Sequence, residues 1–300
     1  MDLLRDKRLA FSLQEKTELM RAGLLRDEGL KTRVIKKRLR QDNYGSYFDL
    51  GAYKLYFNID NDISNHLDRD TALSDYDSIA VICRVIFESF ILRDFLDKSA
   101  QPTNGDIVLD IGAYVGTTAL LISELIGDTG AAYAFEPITW KSLNFNMRVN
   151  NCSNVEVIAK GLSDSDKKEP IQVLQGGVGN MSTVNVRDYA RSKKVLNAAS
   201  INDFSKHSTV RMIELTTIDN FCQRKNLERI DYIKLDVEGM EERVIYGAER
   251  TIQECHPKWS IDSNHADARG EPQHPKLVKL LESFDYSLKE RTQTAHIWAY

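Results

Sequence analysis

The sequence predicts an α/β fold, a doubly wound and mostly parallel sheet, and three observations carry that prediction. From residue 105 onward, short apolar runs alternate with segments of helical period. The runs are continuously apolar, as at Ile107, Val108 and Leu109, which is the pattern of a strand covered on both faces. Several runs end in an acidic residue (Asp110, Glu136, Asp236, Asp262), and doubly wound sheets place their chemistry at the carboxyl ends of their strands.

The first hundred residues read differently. Leucines at mixed three-and-four spacing over residues 2–41 predict helices interrupted near Gly23 and Gly29. Residues 46–59 alternate aromatic and polar side chains around Gly51, which predicts a hairpin. Ser74 and Asp75 are N-cap residues for a helix over 77–98, whose Ile79, Ile82, Ile86, Phe90 and Phe95 form a broad apolar stripe. The chain therefore divides into an N-terminal helical cap with a small hairpin, residues 1–103, and an α/β domain, residues 104–300.

Composition narrows the class. At 42% hydrophobic, 28% charged and net charge −4, the chain has the make-up of a soluble globular protein. No apolar run reaches membrane-spanning length and the first ten residues are charged, so neither export nor a transmembrane segment is expected. Cys83, Cys152, Cys222 and Cys255 are scattered without metal-ligand spacing and read as reduced thiols of a cytoplasmic protein. Residues 31–40 hold six basic residues and no acid. That stretch reads as a solvated helix face, with peripheral contact to an anionic surface as the alternative; interleaved aromatics, which single-stranded nucleic-acid binders use, are missing.

The turn after residue 109 decides the ligand. Gly112 permits a sharp turn against a ligand, and Gly116 permits close packing of the next helix, expected over 114–126. A dinucleotide fingerprint needs G-x-G-x-x-G, whereas here Ala113, Tyr114 and Val115 separate the glycines. The pattern D-x-G-x-x-x-G suits S-adenosylmethionine. Asp110 is expected to take the cationic amino group, while the N–H groups of the helix start, around Ala113, Tyr114 and Thr117, take the ligand carboxylate. Glu136, 26 residues after Asp110 and followed by Pro137, sits where a second-strand acid accepts both ribose hydroxyls. A third strand over 155–159 leads to residues 161–164, GLSD, where Ser163 or Asp164 would receive the adenine amino group. Residues 165–212 are polar, and their glycine-rich 176–183 is a substrate flap or a plain connection.

A second centre lies at residues 231–239, DYIKLDVEG, a strand entering a helix expected over 240–252. Asp236 falls at the strand end. Period-2 alternation puts Lys234 on the same face inside a covered strand, so it needs a carboxylate partner among the strand-end acids. The next strand, 258–265, delivers Asp262, Asn264 and His265 to the same edge. His265 is the leading general base, with Asp236 and Glu238 as further residues to orient or deprotonate a hydroxyl. Asp236, Asp262 and Asn264 also offer an oxygen set for magnesium, although carboxylates around a cationic cofactor explain the same residues without metal. A helix over 275–283 and two strands forming an antiparallel pair close the chain.

The motifs VLDIGAYVG (108–116), AFEP (134–137), GLSD (161–164), LTTIDNF (215–221) and IDYIKLDVEGMEERVIYGA (230–248) stand in an order that resembles the FkbM family of S-adenosylmethionine-dependent methyltransferases, within the Rossmann-like class I methyltransferases. The resemblance implies a seven-stranded sheet with a reversed last strand, S-adenosylmethionine as donor, and O-methylation of a sugar, polyketide or other small-molecule hydroxyl. Two rivals stay open: a nucleic-acid methyltransferase or binding protein using residues 31–40, and a non-catalytic cofactor-binding partner subunit. The first lacks the Asn/Asp-Pro-Pro-aromatic signature, since the chain contains no Pro-Pro pair. Self-association is left open.

Overall fold

The computed structural model describes residues 9, 11–25, 27–57, 83, 85–92, 95–97, 99–174, 208–267, 270–291 and 295–300. Two helices come first, α1 (Leu13–Leu25) and α2 (Glu28–Lys36). Neither glycine separates them: Gly23 lies inside α1 and Gly29 is the second residue of α2. The break is marked by Asp27, whose side chain accepts the Leu30 N–H and satisfies a donor the helix start leaves open. The expected hairpin is the second half of a three-stranded antiparallel meander, β1 (Leu39–Asp42), β2 (Gly45–Asp49) and β3 (Lys54–Tyr56). The basic stretch is not one solvated face. Lys31 is buried over the Phe87 ring, Val34 and Ile35 are core residues, and Arg38 lies over Phe11 and pairs with Glu15. Ser74, Asp75, Ile79 and Ile82 lie outside the described residues. Further along, Phe87–Leu92 is π-helical where an α-helix was expected.

From residue 107 the order is β4 (Ile107–Ile111), α3 (Thr117–Ile126), β5 (Ala131–Phe135), α4 (Trp140–Val149), β6 (Val155–Ile158), β7 (Gly161–Leu162), β8 (Lys167–Leu174), β9 (Ser208–Thr216), α5 (Ile218–Lys225), β10 (Tyr232–Leu235), α6 (Glu241–Tyr246), α7 (Glu249–Cys255), β11 (Lys258–Asp262), α8 (His274–Glu282), β12 (Leu288–Arg291) and β13 (His296–Ala299). Seven strands form one sheet in the order β12–β13–β11–β10–β4–β5–β6. β13 runs antiparallel to both neighbours and every other pairing is parallel. This is the expected doubly wound sheet with a reversed last strand. It brings the carboxyl ends of β4, β5, β10 and β11 to one edge.

Alternation along β4 assigns the two faces. Val108 joins a core with Leu19, Phe48, Leu55 and Phe90 of the N-terminal elements, so the cap and one face of the sheet share apolar contacts. Leu109 and Ile111 join Ile218, Val244, Ile261 and Leu277 on the other face. The buried Tyr232 hydroxyl donates to the Phe95 carbonyl at 2.7 Å, a polar tie across the first core.

Two sequence expectations need correction. Residues 165–212, for which the sequence pattern predicts no strand, contribute two: β8 and β9 pair antiparallel, β7 joins β9, and Ile171, Ile213 and Leu215 cluster together. The glycine-rich 176–183 lies outside the described residues. The helix expected over 240–252 is two helices, α6 and α7, with Gly247 capping the first and lying against the Ser163 carbonyl, where a Cβ would approach to 2.1 Å. Asp219 then caps α7, accepting the N–H groups of Arg250 and Thr251. The four cysteines are free thiols. Among the described residues, no helix is long and apolar enough to cross a membrane.

Candidate active site

The turn after β4 is pinned on both sides. Gly112 (φ +77°) and Ala113 donate their N–H groups to the Phe135 carbonyl at the end of β5, at 3.0 and 3.1 Å. Tyr114 (φ +53°) and Gly116 (φ +99°) keep the chain out of helical geometry, so α3 starts at Thr117 and not at Tyr114. A Cβ on Gly116 would meet Met147 and Leu143 of α4 within 2.8 Å, which explains the close packing there. The Thr117 hydroxyl is bonded to Ser89 of the N-terminal region at 3.0 Å and so serves the cap contact.

Glu136 ends β5. One carboxylate oxygen accepts the N–H groups of Ile138 (2.7 Å) and Thr139 (3.0 Å), and the other accepts that of Tyr114 (3.2 Å), which leaves the second oxygen with acceptor capacity. Burial raises its pKa above the usual range even though the three N–H donors pull it down. Beside it, the buried Tyr114 phenol oxygen has no hydrogen-bond partner among the described residues. Pro137 follows, half-buried.

Asp110 is fully enclosed. Its Oδ2 accepts from the Thr118 hydroxyl at 2.9 Å, and its Oδ1 lies 3.6 Å from Lys234 Nζ. The expected direct contact with a ligand's amino group thus meets a carboxylate that water does not reach; Asp110 faces the edge through Lys234. Lys234 is buried and pairs with both strand-end acids, lying 3.5 Å from Asp236, while it donates to the Gly112 carbonyl at 2.9 Å. Burial alone would lower the lysine pKa, but Asp236 and Asp110 outweigh it and hold the ammonium charged.

Around His265 four carboxylates converge. Its Nδ1 is 2.8 Å from Glu241 Oε1; its Nε2 is 3.4 Å from Glu238 and 3.9 Å from Asp236. Burial would lower the imidazole pKa, yet Glu241, Glu238 and Asp262 raise it well above the ordinary value. Burial, with Asp236 and Glu241 adding to it, pushes Glu238 up to about 7, and burial with Asp236 pushes Asp262 up to about 6. Asp236 stays below the usual range, because Lys234 and His265 outweigh its burial. Behind them, buried His296 bonds Ser260 at 2.7 Å and is pushed down to about 3 by burial.

Of the magnesium set considered from the sequence, Asp236 and Asp262 lie together. Asn264 is exposed and its main-chain N–H donates to Asp262; the third group close to Asp236 and Asp262 is His265, all three offering ligand atoms within 4.8 Å of one another. Ser163 is fully buried and its hydroxyl donates to Asp164, whereas Asp164 is exposed: its Oδ1 is held by Ser163, Ser165, Lys167 and Arg243, and its Oδ2 accepts only from Arg243 Nε at 3.3 Å, which leaves that oxygen with acceptor capacity. Glu241 and Gln273 were missed. An acid in the first turn of α6 is a visible signal, since such a carboxylate suits the free N–H groups there. Its link to His265 is a tertiary contact that no local pattern carries.

Residues 110–288 match the family model described as the methyltransferase FkbM domain. The chain belongs to the FkbM methyltransferase family. Among curated relatives of this FkbM chain, it is similar to 2-O-methyltransferase NoeI of Sinorhizobium fredii, 22% identical over 65% of this chain and 84% of that one. It is also similar to methyltransferase sdnD of Sordaria araneosa, 25% identical over 74% of this chain and 90% of that one. A solved FkbM methyltransferase from Methylobacillus flagellatus aligns with a TM-score of 0.44 and 16% identity, covering 80% of this chain and 57% of that one.

Proposed function

We propose that this FkbM-family chain transfers the methyl group of S-adenosylmethionine to a hydroxyl of a sugar, glycan or other small molecule. The observation that carries the reading is the acidic edge itself: Asp236, Glu238, Asp262 and His265 stand beside the Gly112–Gly116 turn, with Lys234 bonded to the turn and ion-paired with Asp236. The site fits the donor on its chemistry. Glu136 keeps acceptor capacity for ribose hydroxyls, the Tyr114 phenol lacks a partner among the described residues, and a surplus of half-buried carboxylates favours a cationic guest. When bound, the donor supplies an electrophilic methyl carbon on a sulfonium.

The chain's own residues then do the rest. Glu136 and the turn around Ala113 and Tyr114 orient the donor, and the acidic edge holds the acceptor oxygen in line with the methyl carbon. His265, expected from the sequence as the base, is held protonated by Glu241 and so serves as a donor that orients its neighbours. Glu238, with a pKa near neutrality, is suited to take the hydroxyl proton as the oxygen attacks, and Asp236 is held ionised beside it. The names of NoeI and sdnD support methyl transfer, and that of NoeI supports an oxygen acceptor. The test is a mass-spectrometric screen of sugars, glycans and hydroxylated small molecules with the donor: one added methyl on an oxygen is expected, lost in Glu238→Gln. A chain that binds the donor and methylates none of them overturns the reading.

A further inference from the structure

Glu241 is completely buried and belongs to none of the groups that face the edge. Its Oε1 accepts the Val237 and Gly239 N–H groups, both at 3.2 Å, and meets His265 Nδ1 at 2.8 Å. Its Oε2 accepts the Gly239 N–H at 3.1 Å and the Gln273 amide at 2.6 Å. The Gln273 main-chain N–H donates to the His265 carbonyl at 3.1 Å, and its side-chain oxygen accepts from Glu242 N–H. One carboxylate therefore ties the turn after β10 to the segment after β11. Between its two turn donors stands Glu238, at φ +55°, followed by Gly239 at φ +107°, where a Cβ would come within 2.4 Å of the Ala266 carbonyl. Backbone held in this region is strained for a non-glycine residue and persists only where its surroundings enforce it.

We infer that Glu241 is a positioning residue of the methyl-transfer site: by anchoring the His265 ring and the Val237–Gly239 turn to one carboxylate, it presents Glu238 beside His265 Nε2. This rests on the function proposed above. Glu241 touches no open surface, so it acts only through the two groups it joins. The titratable groups facing His265 are Glu241 from α6, Glu238 and Asp236 from the turn after β10, and Asp262 from β11, with Lys234 and His296 behind Asp236. Of the four carboxylates, Glu241 alone makes a hydrogen bond to the ring.

The test is ¹⁵N-histidine NMR of the full chain, with His265 assigned by loss of its signal in His265→Gln, together with kinetics of Glu241→Gln. The wild-type His265 ring is expected to carry a hydrogen-bonded Nδ1 proton and to stay protonated through neutral pH; in Glu241→Gln it should titrate at lower pH. With an acceptor in hand, kcat should fall about 10- to 100-fold, with its pH profile displaced, while calorimetric donor affinity stays within about twofold. Glu241→Asp, which keeps the charge, should restore part of kcat. An unchanged His265 titration in Glu241→Gln overturns the inference, as does donor affinity falling in step with kcat. Should Glu241→Gln fail to fold, the wild-type titration still decides: a ring of ordinary imidazole pKa without an Nδ1 hydrogen bond overturns it. The NMR arm needs no acceptor, so failure to methylate any hydroxyl counts against the proposed function while this positioning is read separately.

Discussion

Gly112 and Asp236 touch through their backbones: a Cβ on Gly112 would lie 1.8 Å from the Asp236 carbonyl oxygen. The turn after β4 and the end of β10 are thus one contact, reinforced by Lys234, which bonds the Gly112 carbonyl and pairs with Asp236. Gly112→Ala must both adopt φ +77° and push β10 away from β4. We expect a stability loss greater than the roughly 1 kcal/mol of backbone strain alone, read by chemical denaturation. A variant as stable as wild type would show that the two strand ends are free to separate.

Glu136 does two jobs that substitutions can divide. It closes the start of the segment leading to α4 through Ile138 and Thr139, and it keeps one oxygen with acceptor capacity. Glu136→Gln keeps one acceptor oxygen, enough for the Ile138 and Thr139 N–H groups, but turns an amide NH2 toward the Tyr114 N–H and loses the charge; Glu136→Ala loses every acceptor. Donor affinity by calorimetry is expected to fall in each, by about 1.5–3 kcal/mol when charged hydrogen bonds to ribose are removed. Stability should fall mainly in the alanine variant, by about 1 kcal/mol for the lost cap. Equal donor affinity in wild type and both variants would remove Glu136 from the donor site.

The raised carboxyls make stability depend on pH with a definite sign. Glu238 moves from 4.5 to about 7 on folding, so between those values the folded chain holds a proton that the unfolded chain has released. Its contribution is complete below about 4.5 and is lost as pH rises through about 7; Asp262 behaves likewise between 3.8 and about 6. Asp166 has the opposite sign: the Arg224 guanidinium holds its carboxyl far below the usual range, so its contribution is lost as pH falls. Glu238→Gln mimics the protonated form at every pH. Relative to wild type it should gain stability between about pH 5 and pH 8, on the order of 1–3 kcal/mol, in denaturant titrations at the two values. A constant difference between the two proteins would mean that Glu238 ionises in the ordinary range.

The sheet was legible because its central strands are covered on both faces and write themselves as continuous apolar runs, with acids where β4, β5, β10 and β11 meet the edge. Lys234 was legible for the same reason, since a lysine inside such a run requires partners, and it has Asp110 and Asp236. What stayed hidden depends on contacts between distant segments. Where the helix expected over 240–252 divides, Gly247 packs against Ser163, 84 positions earlier in the chain. Glu241 and Gln273 meet His265 only after β10 and β11 are side by side. The basic stretch misled as a solvated face because Lys31 and Arg38 spend their stems and charges on Phe87, Phe11 and Glu15.

Asn146 joins the N-terminal meander to the turn after β4, the proposed donor site. Fully buried in α4, it accepts the Tyr56 N–H at 2.8 Å and donates to the carbonyls of Tyr56 and Val115, both at 2.7 Å, so β3 and the turn share one side chain. One turn along α4, Asn150 repeats the pairing with Lys54 N–H and carbonyl, each at 2.8 Å, but near the surface. The two positions separate burial from bonding. Asn150→Ala frees groups that water can solvate, and a loss of about 0.5–1.5 kcal/mol is expected; Asn146→Ala strands three buried backbone groups at about 1–3 kcal/mol each before relaxation. Hydrogen exchange should quicken at residues 54–57 in both variants and at 115–118 only in Asn146→Ala. Because the turn is looser there, donor affinity should also fall in Asn146→Ala and not in Asn150→Ala. Equal exchange at 115–118 in the two variants would mean that the meander braces α4 alone, and that the donor turn is held by β5 and β10 without the cap.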